Sequence, residues 1–374
     1  SVSSATPAVA GQTINLTTSV ETVDGGLGDD TINATSTYAS NAVTASATYN
    51  AGDIINGGAG TDEFVMSISG ALVPSSSSLT PTLTGVETVS VRNYETEAGA
   101  TESLTIDLSL ADTSLATVGT IASTNVNADT IFSNIGQSVD LVMAGKGEMT
   151  VTYASGVNAG IADSANITLN DVGTVAATVS VLDLSSIETL NITSSTSANF
   201  IDIANQGFTA ITVAGDKAIH LEVSDTDVVS IDASSASGAV TLDTTDITMA
   251  DLTTIKGGSG ATDVLEVDEA VTVTGATSAT NSLFAASGFE TLLVDNGSGT
   301  ITVALSTADL GISKFDFTST QAQTLTLNTG YTGATTVSVG DGDTVTNTAN
   351  IALTVNANSD VFDNSTTVTG GTGT

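Results

Sequence analysis

Two glycine-rich stretches near the start of the chain place an aspartate in a setting that suits metal binding. Both contain Gly-Gly, any residue, Gly, any residue, Asp, any residue and a large apolar residue, and they span residues 25–33 and 57–65. Glycines permit turns with positive φ and leave backbone carbonyl oxygens accessible. The aspartate adds a hard anionic oxygen, and Ca²⁺ takes about six to eight oxygen ligands. The pattern therefore predicts two Ca²⁺-binding turns, each followed by a short strand whose apolar residue points into a core.

The candidate metal ligands of this region are the glycines and acidic residues of both copies, with one further carboxylate just before the second copy. They are Gly25, Gly26, Gly28, Asp29, Asp30, Asp53, Gly57, Gly58, Gly60 and Asp62.

Two later segments repeat parts of this pattern. Residues 257–263 read as a nonapeptide with one residue inserted before the aspartate, and their candidate ligands are Gly257, Gly258, Gly260 and Asp263. Residues 340–345 form a short acidic turn that contains Asp341 and Asp343. This turn is either half of a metal site or a turn with aspartate in its favoured position.

These motifs resemble the repeats of the RTX proteins, which Gram-negative bacteria export by type I secretion. Within that group the chain is most similar to surface-layer (S-layer) proteins and large adhesins, in which sparse nonapeptides lie among β-segments rich in Thr, Ser, Ala and Val. The resemblance implies a β-roll whose Ca²⁺ ions lie between successive turns and draw on backbone carbonyls from both. It also implies an extracellular location at the bacterial cell surface, and Ca²⁺ as the cofactor.

Composition supports a folded chain that prefers cations. The 374 residues include 41 acidic and five basic ones, for a formal net charge of -36. A field this negative argues against nucleic acid and anionic membranes as partners and favours divalent metal. A mean hydropathy of +0.27 and 40% hydrophobic residues argue against disorder. The chain has no cysteine, which excludes disulfides and thiolate metal sites.

The ends of the chain and its apolar segments complete the sequence-level expectations. Residues 1–12 lack the basic and apolar regions of a signal peptide, and no run of apolar residues is long enough for a membrane-spanning helix. The last five residues resemble a nonapeptide that stops before its aspartate. We therefore expect the chain to be part of a longer polypeptide.

Short Thr/Val-rich strands with alternating polarity predict an all-β fold. We expect an elongated parallel β-solenoid, a body like a Ca²⁺-binding β-roll, with a chain of small β-sandwich modules as the rival. The predicted division is residues 1–95 (Ca²⁺-binding module), 96–197 (no nonapeptide), 198–298 (degenerate nonapeptide) and 299–374 (truncated nonapeptide). We find no strict Thr-x-Thr array at fixed spacing, although the Thr-rich faces suit lateral packing against further copies of the chain.

An apolar-Glu-Thr motif marks a repeat of about a hundred residues. Its glutamates are Glu87, Glu188 and Glu290, and a fourth copy at Glu21 breaks the spacing. Each glutamate either lies exposed between inward-facing aliphatic residues, closes a turn or binds metal. The sequence leaves these alternatives open.

Catalysis has little support in the sequence. His220 is the only histidine, it occupies an alternating strand position, and no nucleophile elbow accompanies it. We expect no enzymatic activity. The predicted function is a structural cell-surface protein that assembles with itself and Ca²⁺ into an S-layer, similar array or filament, with cell-surface polysaccharide as a candidate anchor. The alternatives are an RTX adhesin stalk and the Ca²⁺-folding tail of a secreted hydrolase.

Overall fold

The computed structural model describes most of the chain, in two units that comprise residues 1–188 and 189–374. The described residues are 9–39, 43–70, 77–95, 103–121, 129–174, 180–184, 186–203, 207–247, 251–268, 271–273, 286–294, 302–305, 311–317, 322–333, 335–340, 342–349, 351–357 and 366–370. The predicted division into four modules is finer than these two units and stays a prediction.

The described residues form short β-strands and no α-helix, which confirms the all-β prediction. Strands of the first unit are β1 (Thr13–Asn15), β2 (Thr22–Asp24), β3 (Thr31–Ala39), β4 (Val43–Ala47), β5 (Ile54–Asn56), β6 (Glu63–Gly70), β7 (Ser77–Leu79), β8 (Thr82–Thr84), β9 (Thr88–Glu95), β10 (Ser103–Asp107), β11 (Thr117–Thr120), β12 (Asp129–Ile135), β13 (Asp140–Gly145), β14 (Met149–Tyr153), β15 (Ser164–Val172) and β16 (Ser180–Leu184).

Strands of the second unit are β17 (Thr189–Ser195), β18 (Asn199–Ile203), β19 (Ala210–Gly215), β20 (Ile219–Val223), β21 (Ser230–Ala236), β22 (Val240–Asp243), β23 (Thr254–Lys256), β24 (Val264–Val267), β25 (Val271–Val273), β26 (Ala286–Ser287), β27 (Thr291–Val294), β28 (Thr302–Leu305), β29 (Lys314–Phe317), β30 (Thr324–Leu327), β31 (Thr335–Val339), β32 (Thr344–Asn347), β33 (Leu353–Ala357) and β34 (Thr367–Thr369).

Strands pair with strands of the next coil, so each unit is a parallel β-solenoid. In the first unit the orders are β1-β3-β6-β9-β11-β13-β15, β7-β10-β12-β14-β16 and β2-β5-β8. In the second they are β17-β19-β21-β23-β26, β18-β20-β22-β24-β27-β29-β31-β33 and β25-β28-β30-β32-β34. Among the described strands only β3 and β4 pair antiparallel. A β-sandwich requires antiparallel sheets, so the rival prediction is wrong.

Alternating polarity builds the core of each coil. In β10, β24 and β30 every second residue is buried, because successive side chains of a strand point to opposite faces. The inward residues stack in register from coil to coil. One such column in the first unit is Ile32, Phe64, Val89, Val118, Leu141 and Ile167, all at most 1% exposed. No described residues form a helix long and apolar enough to cross a membrane.

Outward residues also form columns, including one feature that the sequence analysis missed. β30, β32 and β34 place their threonines in register as two parallel columns, Thr324-Thr344-Thr367 and Thr326-Thr346-Thr369. Neighbouring strands in a sheet are about 4.8 Å apart. The sequence has no Thr-x-Thr array at fixed spacing, yet the coils bring these threonines into register, and we call this sheet the threonine face.

Candidate metal centre

The two N-terminal nonapeptides lie directly on one another, one coil apart. Each turn follows one paired strand and precedes another, because β2 pairs with β5 and β3 pairs with β6. The turns themselves are also joined. The N–H of Gly28 donates to the carbonyl of Ala59 at 2.7 Å, and the N–H of Ala59 donates to the carbonyl of Gly26 at 2.9 Å. Backbone hydrogen bonds therefore hold the turns of two successive coils against each other.

Their aspartates form a buried column. Asp30 is 1% exposed and Asp62 is 0% exposed. The N–H of Gln12 donates to Oδ1 of Asp30 at 2.6 Å, and the N–H of Asp30 donates to Oδ1 of Asp62 at 2.7 Å. One carboxylate oxygen of each aspartate thus holds the backbone of the preceding coil.

The other oxygen of each buried aspartate, Oδ2, has no hydrogen-bond partner. Carbonyl oxygens lie beside it. A Cβ placed on Gly57 would overlap the carbonyl oxygen of Gly85 and lie 2.7 Å from Oδ2 of Asp62. A Cβ on Gly25 would overlap the carbonyl oxygen of Gly57 and Oδ2 of Asp30 in the same way. Since a buried anionic oxygen without a partner is costly, a cation that binds both oxygens fits this arrangement.

The degenerate copy around Asp263 has the same arrangement despite its inserted residue. Asp263 is 0% exposed, its Oδ1 accepts the N–H of Val240 at 2.7 Å, and its Oδ2 has no hydrogen-bond partner. A Cβ on Gly258 would lie 3.1 Å from that Oδ2, whereas a Cβ on Gly257 would overlap the carbonyl oxygen of Gly288. In this copy Gly257 lies against the carbonyl oxygen and Gly258 lies against Oδ2, whereas in the N-terminal copy Gly57 lies against both atoms.

Burial makes the carboxylates of Asp62 and Asp263 reluctant to ionise. Burial is the largest effect on Asp62 and raises its pKa; the hydrogen bond from Asp30 lowers that pKa, and the negative charge of Glu87 raises it again. Burial likewise raises the pKa of Asp263; the backbone N–H groups of Val240 and Gly258 lower that pKa, and the charge of Glu290 raises it again. A bound cation would oppose both effects by favouring the ionised form.

Other predicted ligands are placed differently. Both oxygens of Asp53 accept backbone N–H groups, from Glu21 at 2.8 Å and Asn50 at 2.7 Å. Both oxygens of Asp343 do the same, with Gln323 at 2.7 Å and Gly340 at 2.6 Å. These bonds give Asp53 and Asp343 a structural role in their turns.

Two further predicted ligands need separate treatment. Asp29 is exposed and its Oδ1 accepts the N–H of Thr61 at 2.8 Å. Asp341 lies outside the described residues. Gly26, Gly28, Gly58 and Gly60 have positive φ and lie where the two turns stack, and Gly260 lies beside the carboxylate of Asp263.

Backbone oxygens would have to supply most of the ligands. The described residues contain no group of three or more His, Asp or Glu side chains that is suited to hold a metal ion. A single buried carboxylate oxygen among glycine carbonyls is a hard, all-oxygen donor set, which suits Ca²⁺ rather than a transition metal.

The repeated glutamates contact these aspartates, which the sequence analysis did not predict. Oε2 of Glu87 accepts the N–H of Asp62 at 2.7 Å, and Oε2 of Glu290 accepts the N–H of Asp263 at 2.8 Å. The separations are 25 and 27 residues. The sequence does contain this spacing, because an aspartate precedes each of the two glutamates by about one coil. The spacing is hard to recognise because the length of a coil varies along the chain.

Carboxylates also line one outer face of the second unit. Asp202, Glu222, Asp243 and Glu266 occupy matching positions on β18, β20, β22 and β24, and we call them the acidic column. Burial raises the pKa of Asp202 and of Glu222, and the charges of neighbouring carboxylates raise both further. His220 lies beside this column on β20, where its ring stacks on Phe200 with 6.2 Å between ring centroids.

No protein-family model, curated protein or solved structure matches this chain. The fold and the candidate site therefore define it as a parallel β-solenoid with buried aspartates in stacked glycine turns.

Proposed function

We propose that this chain is a secreted structural protein of the bacterial cell surface that assembles with copies of itself when it binds Ca²⁺. One observation carries the proposal: Oδ2 of Asp30, Asp62 and Asp263 is buried without a hydrogen-bond partner in a glycine-rich turn. The resemblance of these turns to RTX repeats supports the same reading. The proposed role requires no catalytic group.

Calcium would link folding to the extracellular medium. Each buried carboxylate opposes folding in its ionised form, because burial deprives the charge of water. Extracellular Ca²⁺ modules bind with dissociation constants of about 10⁻⁴–10⁻³ M. At tenfold excess over that constant, one site adds about 1.4 kcal/mol to the free energy of unfolding. The effect of several sites is a large share of the roughly 5–15 kcal/mol that stabilises an ordinary domain.

The threonine face is the surface we assign to self-association. Thr324, Thr326, Thr344 and Thr346 are half-buried, and Thr367 and Thr369 are exposed. The face carries no charge at these six positions in a chain with a net charge of -36, so two copies repel each other less there than at a face lined by carboxylates. We propose that the partner is a second copy of the chain, with cell-surface polysaccharide as the anchor of the array.

Electron microscopy and circular dichroism of the purified chain test this proposal. We expect ordered sheets or fibres in millimolar Ca²⁺. In excess EGTA we expect the particles to disappear and the β-signal to melt at a lower temperature. Magnesium at equal concentration is the control for simple screening of charge. Isolated particles in Ca²⁺ would contradict assembly and favour an adhesin stalk. A melting temperature unchanged by EGTA would contradict the role of Ca²⁺ in folding.

A further inference from the structure

The apolar-Glu-Thr turn of the following coil is the second half of two candidate cation sites. We propose that Glu87 and Glu290 are positioning residues, which hold Asp62 and Asp263 in the geometry that a cation requires. This inference rests on the proposed Ca²⁺ binding, and it extends that binding to a motif outside the nonapeptides.

Each glutamate turn holds both polar groups of the aspartate backbone. Oε2 of Glu87 accepts the N–H of Asp62 at 2.7 Å, while the N–H groups of Glu87 and Thr88 donate to the carbonyl of Asp62 at 3.1 Å and 3.0 Å. With both its N–H and its carbonyl bound, the Asp62 backbone has little freedom to turn Oδ2 away from the glycine carbonyls.

The second copy repeats these bonds. Oε2 of Glu290 accepts the N–H of Asp263 at 2.8 Å, and the N–H groups of Glu290 and Thr291 donate to the carbonyl of Asp263 at 3.0 Å and 3.1 Å. The copies lie in different units, at residues 62–88 and 263–291. Their agreement indicates one structural device that the chain uses twice.

The glycine before each glutamate also contributes. Gly85 has φ of 57° and Gly288 has φ of 76°, in the left-handed region that glycine adopts most readily. The carbonyl oxygen of Gly85 lies against Gly57 beside Oδ2 of Asp62, and that of Gly288 lies against Gly257. The same turn therefore orients the aspartate and brings a carbonyl oxygen towards it.

A third copy keeps the bonds between the glutamate and the aspartate, but its aspartate, Asp163, is half-buried and its Oδ2 has a partner. Oε2 of Glu188 accepts the N–H of Asp163 at 2.8 Å, again across 25 residues. Oδ2 of Asp163, however, accepts the N–H of Gly160 at 2.8 Å, and a serine, Ser186, replaces the glycine. In this copy a backbone N–H group therefore binds the aspartate oxygen that has no hydrogen-bond partner in the other two copies. Glu188 is therefore a matched control within the same chain.

Calcium binding to alanine and glutamine variants of the full chain tests the assignment. We measure binding by equilibrium dialysis and calorimetry, and we measure the melting temperature in EGTA. Loss of a group that orients a metal ligand typically lowers metal affinity by about 10–100-fold. We expect Glu87→Ala and Glu290→Ala each to lower the affinity of one site by that factor. Glu188→Ala should leave Ca²⁺ affinity unchanged while lowering the melting temperature in EGTA about as much as Glu87→Ala does.

Glutamine separates positioning from charge. Glu87→Gln keeps an oxygen that accepts the N–H of Asp62, so we expect it to restore the affinity to within a few-fold of the unaltered chain. A glutamine variant as weak as the alanine variant would overturn the positioning role, as would equal losses of affinity in Glu188→Ala and Glu87→Ala, or no loss in Glu87→Ala. If a variant folds only with Ca²⁺, the Ca²⁺ concentration at its folding midpoint replaces the affinity. An unaltered chain that binds no Ca²⁺ contradicts the proposed function itself, which is a separate outcome.

Discussion

Asp30 donates its backbone N–H to Oδ1 of Asp62 at 2.7 Å, although the two residues are 32 positions apart. This bond uses one oxygen of Asp62 to join two coils and leaves the other, Oδ2, buried beside a glycine carbonyl. The two oxygens of the nonapeptide aspartate are therefore placed differently. One oxygen joins two coils, and we propose that the other binds a cation.

Asparagine at position 62 should change stability in opposite directions with and without Ca²⁺. Its side-chain oxygen can still accept the N–H of Asp30, while its NH₂ group can donate to the carbonyl of Gly85. In EGTA we expect Asp62→Asn to melt higher than the unaltered chain, because a buried charge is removed. In Ca²⁺ the variant lacks the roughly 1.4 kcal/mol that the unaltered site gains at tenfold excess over the dissociation constant, so we expect the order of the two melting temperatures to reverse as the Ca²⁺ concentration rises. Thermal melts followed by circular dichroism measure both.

Asp343→Asn is the control for that experiment. Both oxygens of Asp343 accept backbone N–H groups, so an asparagine NH₂ must oppose one of them in either orientation. We expect a loss of about 1.5–3 kcal/mol whether or not Ca²⁺ is present, the range of a hydrogen bond to a charged group. A Ca²⁺-dependent effect at position 343, or none at position 62, would contradict the division of roles between these aspartates.

Alanine at position 57 should disrupt the candidate site by contact alone. Its Cβ would overlap the carbonyl oxygen of Gly85 and crowd Oδ2 of Asp62. Overpacking of this kind costs about 1–3 kcal/mol. We expect Gly57→Ala to melt lower and to bind one Ca²⁺ fewer than the unaltered chain. Gly136→Ala is the control, because a Cβ there meets nothing within 4 Å. Equal melting temperatures for the two variants would show that the close approach at Gly57 has no energetic effect.

The acidic column should make the metal-free chain more stable as the pH falls from 7 towards 5. The pKa values of Asp202 and Glu222 are raised by burial and by neighbouring carboxylates, so the folded state binds protons at a pH where the unfolded chain has released them. Their contribution is complete below the ordinary carboxyl pKa and is lost as the pH rises through the raised values. Melting in EGTA at low ionic strength, at several pH values, measures this slope.

Two variants test the origin of that slope. Asp243→Asn removes a charge that raises the pKa of Asp202 and Glu222, and should flatten the slope. Asp232 has the opposite behaviour, because its hydrogen bond with Lys256 lowers its pKa to about 2. Its contribution is present above the ordinary pKa and is lost as the pH falls towards 2. Asp232→Asn should therefore lower stability at neutral pH, by under about 1 kcal/mol for so exposed a pair. A steeper slope in Asp243→Asn would be inconsistent with repulsion as its cause.

Lysine on the threonine face should block assembly and leave the fold intact. The side chains of Thr326 and Thr346 point outward from β30 and β32. We expect the double variant Thr326→Lys, Thr346→Lys to melt within a few degrees of the unaltered chain but to form no sheets or fibres in Ca²⁺. Thr212→Lys changes an exposed threonine on β19 and is the control. Normal arrays from the double variant would move the self-association surface elsewhere.

Much of the fold follows from local patterns in the sequence. Alternation of apolar and polar residues predicts strands such as β10 and β30, because the period of two is a property of the strand itself. The nonapeptides predict a turn followed by a strand, and β3 and β6 begin directly after Asp30 and Asp62. The sequence left the β-sandwich open as a rival, because short alternating strands occur in both folds and do not specify the direction of pairing. The parallel pairing of the described strands excludes it.

The sequence by itself therefore determined many of the strands and the turns that carry Asp30, Asp62 and Asp263. Only the tertiary structure decided which residues lie on one another, because coil length varies along the chain. Asp30 and Asp62 are 32 residues apart, whereas Asp62 and Glu87 are 25 apart. Thr324, Thr344 and Thr367 are separated by 20 and then 23 residues, so their column has no fixed spacing in the sequence. Stacking depends on hydrogen bonds between coils, and these can place residues in register across loops of any length.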